Sequence, residues 1–176
     1  AGAADLLMDV DLQGTLQEAN EIVRSARPDL QIDTVCILVQ TAAAGLLGFR
    51  IADVRVGALF WPSGFQDDFD LAIRGGWGLA GVDHDRGQFY LDPSLMDGDG
   101  GYNGHAWIES EPGHALDVMY AWDGPDNEMD ESLRSVRRYL RRVDLERQVK
   151  RFWRNDMERV FGLAVNRPAP AAGFGR

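Results

Sequence analysis

The chain is poor in cysteine and has no long apolar run. A single cysteine, Cys36, among 176 residues excludes an internal disulfide framework. No segment reaches about 18 uninterrupted apolar residues, the length of a membrane span, and residues 1–11 lack the basic and apolar regions of a signal peptide. We therefore expect a protein without a membrane segment in a reducing compartment, with the cytoplasm as the expected location.

Basic residues are scarce in the larger, N-terminal part of the chain. Residues 1–129 hold 22 of the 28 acidic residues but only 6 of the 18 basic ones, and the net charge is −10. Such a surface repels phosphate backbones, so nucleic acid is not an expected partner. The arginines that follow, between residues 134 and 159, are interleaved with acidic residues, and this mixture favours a helix face that is solvated or that docks on the acidic part of the protein itself.

The composition is that of a globular domain. Hydrophobic residues make up 45% of the chain and charged residues 26%, which excludes wholesale disorder. The length suits one domain, which we assign to residues 1–166. Residues 167–176 are rich in Pro, Ala and Gly, and they are predicted to form a flexible tail.

Two helices are predicted near the N-terminus. Thr15 and Glu18 have the spacing of a capping box at the start of the first. The second is mostly apolar and is predicted to begin at Asp33 or Thr34, whose side chains accept hydrogen bonds from first-turn amides. Gly48 ends it, because glycine readily adopts the left-handed conformation of a helix C-cap.

The rest of the chain alternates between strand and helix patterns. Period-two alternation predicts strands, and apolar residues that recur every three or four positions predict helix. Strands are predicted at 54–60, near Ile73, at 88–91, at 105–109 and at 115–122, and helix from Asp130 to about Phe161 with a break near Asp144.

Three residues suggest nucleophilic catalysis. Cys36 lies in the predicted first turn of the second helix, where the helix dipole stabilises a thiolate. An imidazole such as His105 accepts a thiol proton and later returns it to a leaving group. A carboxylate on the next strand, Asp117, then accepts a hydrogen bond from the other ring nitrogen and fixes the tautomer. The free amide of Cys36 is an available donor to an oxyanion.

The hairpin that connects the strands of His105 and Asp117 tests this arrangement. A two-residue Pro112-Gly113 loop pairs Ile108 with Asp117 and puts Asp117 on the face opposite His105. A three-residue loop that includes Glu111, with Gly113 left-handed, makes His105 and Asp117 diagonal neighbours on one face. A triad therefore predicts the three-residue loop.

The sequence resembles a known family at these positions. Cys36 at the start of a helix that ends Leu46-Leu47-Gly48-Phe49, followed by the strand at 54–57, resembles the nucleophile helix of transglutaminase-like cysteine peptidases. His105-Ala106-Trp107-Ile108-Glu109 with a hairpin to Asp117 is similar to their His-x-Trp motif and acid. That superfamily has the papain-like cysteine-proteinase fold and includes the leader peptidases of lasso-peptide clusters, in which the link corresponding to residues 61–103 is far shorter.

The resemblance implies roles for six residues. Cys36 is the nucleophile, His105 the base and Asp117 the orienting acid. Trp107, Asn103 and Gln31 are expected around them, with Trp107 as a wall beside His105 and Gln31 as the counterpart of the glutamine that precedes the cysteine in papain-like enzymes.

The predicted protein is therefore an α+β domain of papain-like fold, with a nucleophile helix packed on a small antiparallel sheet. The expected reaction is thiol acyl transfer, first of all hydrolysis of a peptide or amide bond, on a peptide or a small amide or ester substrate. No metal and no cofactor are predicted, since Cys36, His84 and His114 have no ligand spacing and the two histidines are expected in solvent. Two alternatives stay open: a catalytically silent peptide-binding relative, and an interaction protein acting through its arginine-rich C-terminal helix. Oligomeric state stays undetermined.

Overall fold

The computed structural model describes residues 11–30, 36–60, 81–83, 88–90, 104–126, 138–141 and 143–167. Its helices are α1 (Leu12–Ala26), α2 (Cys36–Leu47) and α3 (Val143–Val165), with a short 3-10 turn at Ile51–Asp53. Its strands are β1 (Val54–Phe60), β2 (Gly81–Asp83), β3 (Gln88–Tyr90), β4 (Gly104–Glu111), β5 (His114–Asp117), β6 (Trp122–Pro125) and β7 (Arg138–Arg141). The predicted α+β class is confirmed.

The central feature is a five-stranded antiparallel sheet in the order β6-β5-β4-β1-β7. Strands β2 and β3 form a separate two-stranded ladder, which agrees with the strand predicted at 88–91. Because side chains alternate along a strand, each face of the large sheet carries its own set. One face contributes to the main core with the helices, through Val54, Val56, Ala106, Ile108 and Leu116. The other carries a smaller cluster of Trp107, Ala115 and Tyr139.

Helix α1 begins earlier than the sequence predicts. The Asp11 carboxylate accepts a hydrogen bond from the Gly14 amide at 2.9 Å and caps the helix. Thr15, predicted as the cap, instead lies inside the first turn, where its hydroxyl donates to the Asp11 carbonyl. The predicted capping box is therefore wrong, because an aspartate three residues upstream of Gly14 supplies the same acceptor.

Helix α2 is the centre of the main core. All its residues from Cys36 to Ala44 are buried, which explains why its sequence is apolar on most sides. It ends as predicted: Gly48 has a φ of +82°, and the Phe49 amide donates to the Ala44 carbonyl at 2.8 Å. The predicted caps Asp33 and Thr34 lie outside the described residues.

Helices α2 and α3 are in close contact at Gly45. A Cβ atom built there lies 2.7 Å from the Ala164 Cβ and 3.1 Å from the Phe161 carbonyl oxygen. The packing therefore requires glycine at this helical position, even though glycine is a poor helix former.

We expect Gly45→Ala to destabilise the protein and Gly162→Ala to stabilise it. Overpacking costs about 1–3 kcal/mol and outweighs the helix-propensity gain of about 1 kcal/mol at Gly45. Gly162 lies in α3 with nothing within 4 Å of a built Cβ, so only the gain of about 0.5–1 kcal/mol applies there. Urea unfolding of both variants measures the two shifts. Equal shifts of the same sign would contradict the close approach at Gly45.

The β4–β5 hairpin reaches the predicted register by a different route. Ile108 pairs with Leu116, and continuing that register places Trp107 opposite Asp117. The loop, however, is the two-residue Pro112-Gly113 turn, with Gly113 at φ +80°, because Glu111 pairs with His114. A bulge between Glu109 and Glu111 adds the odd residue. The predicted three-residue loop is wrong, but His105 and Asp117 do share a face.

Two further strand and helix predictions need correction. The strand predicted at 115–122 stops at Asp117, and a turn leads into β6, with Ala121 in the left-handed region at φ 52°. The helix predicted from Asp130 is absent at 138–141, where β7 pairs with β1. The segment Arg138-Tyr139-Leu140-Arg141 is too short to show a period, so its sequence fits an edge strand as well as a helix.

The described C-terminal end is anchored to α1. The Arg167 guanidinium lies 3.3 Å from the Glu18 carboxylate and 3.6 Å from that of Glu21. The sequence assigns Arg167 to the flexible tail, but these two contacts hold its side chain. The rest of the predicted tail, residues 168–176, lies outside the described residues. Among the helices described, none combines the length and apolar character needed to cross a bilayer.

Candidate active site

Cys36 is the first residue of α2, and its side chain lies beside the His105 ring. The residue is 8% exposed and its thiol is free of any disulfide. A hydrogen bond and an electrostatic interaction with Cys36 both contribute to raising the pKa of His105. The first-turn amides of a helix have no intrahelical acceptor, so this position combines a thiol, an imidazole and N–H donors that lie outside the hydrogen-bond ladder of the helix.

His105 forms a buried pair with Asp117. The His105 Nε2 atom lies 2.6 Å from the Asp117 Oδ2 atom, and the two residues are 7% and 0% exposed. Burial lowers the pKa of His105, but the Asp117 charge and hydrogen bond, with Cys36, outweigh it and raise that pKa to about 10. Because Nε2 donates to the carboxylate, Nδ1 is the ring nitrogen left for the thiol.

The Asp117 carboxylate is held from several directions. Its Oδ1 atom accepts from Gln40 Nε2 at 2.6 Å and from the amides of Met119 and Tyr120 at 3.0 and 3.2 Å. Its Oδ2 atom accepts from the Tyr139 hydroxyl at 2.8 Å as well as from His105.

These donors keep Asp117 ionised. Burial raises the pKa of the carboxyl group, yet the charge and hydrogen bond of His105 and the hydrogen bonds from Tyr139 and Gln40 hold that pKa below its ordinary value. An ionised Asp117 accepts only, which fixes His105 Nε2 as the donor of the pair.

Aromatic rings surround His105. Trp107 stacks at a centroid distance of 6.4 Å, Tyr120 meets the ring edge-on at 5.1 Å, and Tyr139 lies at 6.2 Å. Trp107 also contacts Tyr139, with centroids 5.1 Å apart. Tyr120 is 38% exposed and stands at the solvent side, while Trp107 and Tyr139 are buried. Trp107 therefore lies beside His105, where the sequence places it as a wall.

The structure brings together four of the six predicted site residues, namely Cys36, His105, Asp117 and Trp107. Gln31 and Asn103 lie outside the described residues. His114 was predicted in solvent, which is wrong: its ring contacts Asp123 and lies 3.7 Å from the Glu111 carboxylate. One acidic neighbour from each adjacent strand, Glu111 on β4 and Asp123 on β6, holds the ring.

Sequence reasoning missed Gln40 and Tyr139. Gln40 is fully buried within a stretch that is apolar apart from Thr41, and one helical turn separates it from Cys36. A buried polar side chain needs a partner, so this glutamine was a usable signal. Tyr139 gives no such signal, because the pattern of its segment predicts helix and its partner lies on another strand.

Comparisons of the chain with protein-family models, with curated proteins and with solved structures gave no match. The features of this chain that bear on function are therefore those of the site: a thiol at a helix N-terminus, a histidine beside it, and an ionised aspartate that holds this histidine.

Proposed function

We propose that the protein is a thiol-dependent acyl-transfer enzyme that hydrolyses a peptide or amide bond. The observation that carries the proposal is the buried His105–Asp117 pair, at 2.6 Å, next to Cys36 at the first residue of α2. A raised pKa keeps His105 protonated at neutral pH, so it is poised to give a proton to a leaving group beside Cys36, whose thiolate is the reactive form in this class of chemistry.

The groups present suffice for a complete cycle. The Cys36 thiolate attacks the carbonyl carbon, forming a carbon–sulfur bond, and first-turn amides of α2 stabilise the oxyanion. The intermediate collapses with cleavage of the carbon–nitrogen bond, and His105 gives its proton to the departing amine. Water then attacks the thioester while His105 takes a proton from it. Cleavage of the carbon–sulfur bond releases the acid and restores the thiolate and the protonated His105.

The resemblance to transglutaminase-like cysteine peptidases supports the same assignment. It proposes Cys36, His105 and Asp117 as nucleophile, base and acid, and a papain-like arrangement of the α2 helix on the sheet. A peptide, or a small amide or ester, is the substrate class that this chemistry accepts. A reducing compartment such as the cytoplasm suits a working thiol.

The test is acylation of the protein by p-nitrophenyl acetate. We expect release of p-nitrophenolate together with an acetyl group that mass spectrometry locates on Cys36, and a Cys36→Ala variant that shows neither. Cys36 is the only cysteine, so every thiol-dependent signal belongs to it. Release of p-nitrophenolate at an unchanged rate from Cys36→Ala would overturn the proposal.

A further inference from the structure

Gln40 bridges the nucleophile helix and Asp117. Its Nε2 atom donates to Asp117 Oδ1 at 2.6 Å, and its Oε1 atom accepts from the Val118 amide at 3.4 Å. An ionised carboxylate only accepts and a backbone N–H only donates, so the amide of Gln40 has one orientation. The donor end of this side chain therefore binds the last residue of β5, and its acceptor end binds the residue that follows.

The position of Gln40 on its helix links this bridge to Cys36. Residues four apart lie on the same helix face, one turn from each other. The same face of α2 thus presents Cys36 to His105 and Gln40 to Asp117. A shift of α2 relative to β5 changes both contacts together.

A buried amide in this helix needs a reason. Gln40 is fully buried and its neighbours in α2 are apolar, apart from Thr41. Thr41 is satisfied within the helix, since its hydroxyl donates to the Ile37 carbonyl at 2.6 Å. Gln40 instead forms its hydrogen bonds with Asp117 and Val118. The free-energy cost of removing its amide from water is therefore offset by contacts at the candidate site.

We propose, on the basis of the proposed function, that Gln40 is a positioning residue for acyl transfer: it aims Asp117 Oδ2 at His105 and fixes α2, with Cys36, at the distance that His105 requires. Gln40 is the side chain that holds Oδ1, together with two backbone amides, and this leaves Oδ2 for His105 and Tyr139. It touches no reacting atom and acts through Asp117.

The test compares Gln40→Met and Gln40→Glu with the matched control Thr41→Val. Thr41→Val removes a buried hydrogen bond from the same turn of α2 without touching Asp117. We expect Gln40→Met to slow acylation of Cys36 by p-nitrophenyl acetate by about 10-fold to 100-fold, as a misaligned catalytic group does, and Thr41→Val to stay within about 2-fold.

Gln40→Glu gives a signature that packing alone does not produce. A protonated Glu side chain donates to Asp117 Oδ1 as Gln40 does, whereas an ionised one repels it. The acylation rate of Gln40→Glu relative to wild type is therefore expected to be near unity at pH 5 and to fall as pH rises. NMR titration of His105 is the second readout, because its pKa should fall in Gln40→Met and stay unchanged in Thr41→Val.

Three outcomes would overturn the positioning role. They are equal slowing by Gln40→Met and Thr41→Val, a rate ratio for Gln40→Glu that does not change with pH, and an unchanged pKa of His105 in Gln40→Met. The near-isosteric Gln40→Glu carries the test if Gln40→Met does not fold. Absence of acylation in wild type would instead refute the proposed function, while the titration of His105 still decides the role of Gln40.

Discussion

Asp117→Asn is expected to slow acylation of Cys36 by p-nitrophenyl acetate by about 10³-fold to 10⁴-fold at neutral pH, the scale of losing the orienting acid of a catalytic triad. The variant has nearly the shape of the wild type, so the loss comes from the hydrogen-bond pattern around residue 117. Stopped-flow release of p-nitrophenolate measures it, with mass spectrometry of Cys36 as the confirming readout.

The reason lies in the two oxygens of Asp117. Oδ1 faces donors only, namely the Gln40 amide and two backbone N–H groups, so the Asn oxygen must occupy that position. The Asn NH₂ group then takes the place of Oδ2 and donates towards His105 Nε2. His105 must accept there and carry its proton on Nδ1, the nitrogen that faces Cys36. In this tautomer it can no longer accept a proton from the thiol.

The same substitution should change how stability depends on pH. The pKa of His105 is raised from 6.5 to about 10, so its stabilisation is complete below pH 6.5 and is lost as pH rises through about 10. The pKa of Asp117 is lowered from 3.8, so its stabilisation is complete above that value and is lost as pH falls below it. The difference in unfolding free energy should therefore be largest between pH 4 and 6.5, at about 3–5 kcal/mol for a broken buried pair.

Asp123→Asn is the matched control. It removes the β6 carboxylate that contacts the His114 ring on β5. We expect its acylation rate to stay within about 2-fold of wild type, since it disturbs no group that contacts Cys36, His105 or Asp117. An Asp117→Asn protein that acylates at the wild-type rate, with the titration of His105 unchanged, would refute the orienting role of Asp117.

The parts of the fold that local patterns specify were predictable. Gly48 ends α2 because a left-handed residue is required there, and hydrophobic alternation located β1 and β4. The register that puts His105 and Asp117 on one face followed from the chemistry of the triad. Its cause, the bulge between Glu109 and Glu111, did not, because a bulge and a longer loop shift the register equally.

Long-range pairing accounts for what was missed. Tyr139 reaches Asp117 only because β7 pairs with β1 at the sheet edge, and no local pattern distinguishes that strand from a helix. Gln40 differs, since a buried glutamine in an apolar helix signals that a partner exists. Its partner lies 77 residues away, and only the packed structure identifies it as Asp117.

The largest expected effect on stability away from the site belongs to Glu146. This buried carboxylate of α3 accepts from the Val56 amide at 3.0 Å, at the point of β1 where the pairing with β7 has ended. It also lies 3.7 Å from Arg55, and 3.5 Å from both Arg141 and Lys150. Glu146 thus ties α3 to the sheet by completing a strand hydrogen bond and by balancing a cluster of cations.

Glu146→Gln is expected to destabilise the protein by about 1–3 kcal/mol, because it removes the carboxylate that faces Arg141 and Lys150, while Arg55 keeps its ion pair with Glu109. The side-chain oxygen of the introduced glutamine can still accept from the Val56 amide. The lost stability therefore measures the contribution of the Glu146 charge and not that of its hydrogen bond to β1. Burial already lowers the pKa of Lys150 against the charge of Glu146, and without that charge the pKa falls further. Urea unfolding of Glu146→Gln beside Glu158→Gln, on the exposed side of the same helix, measures the effect. If both variants lose less than about 0.5 kcal/mol, the usual range for an exposed substitution, then α3 is held by its apolar face against α2 and the charge cluster adds nothing.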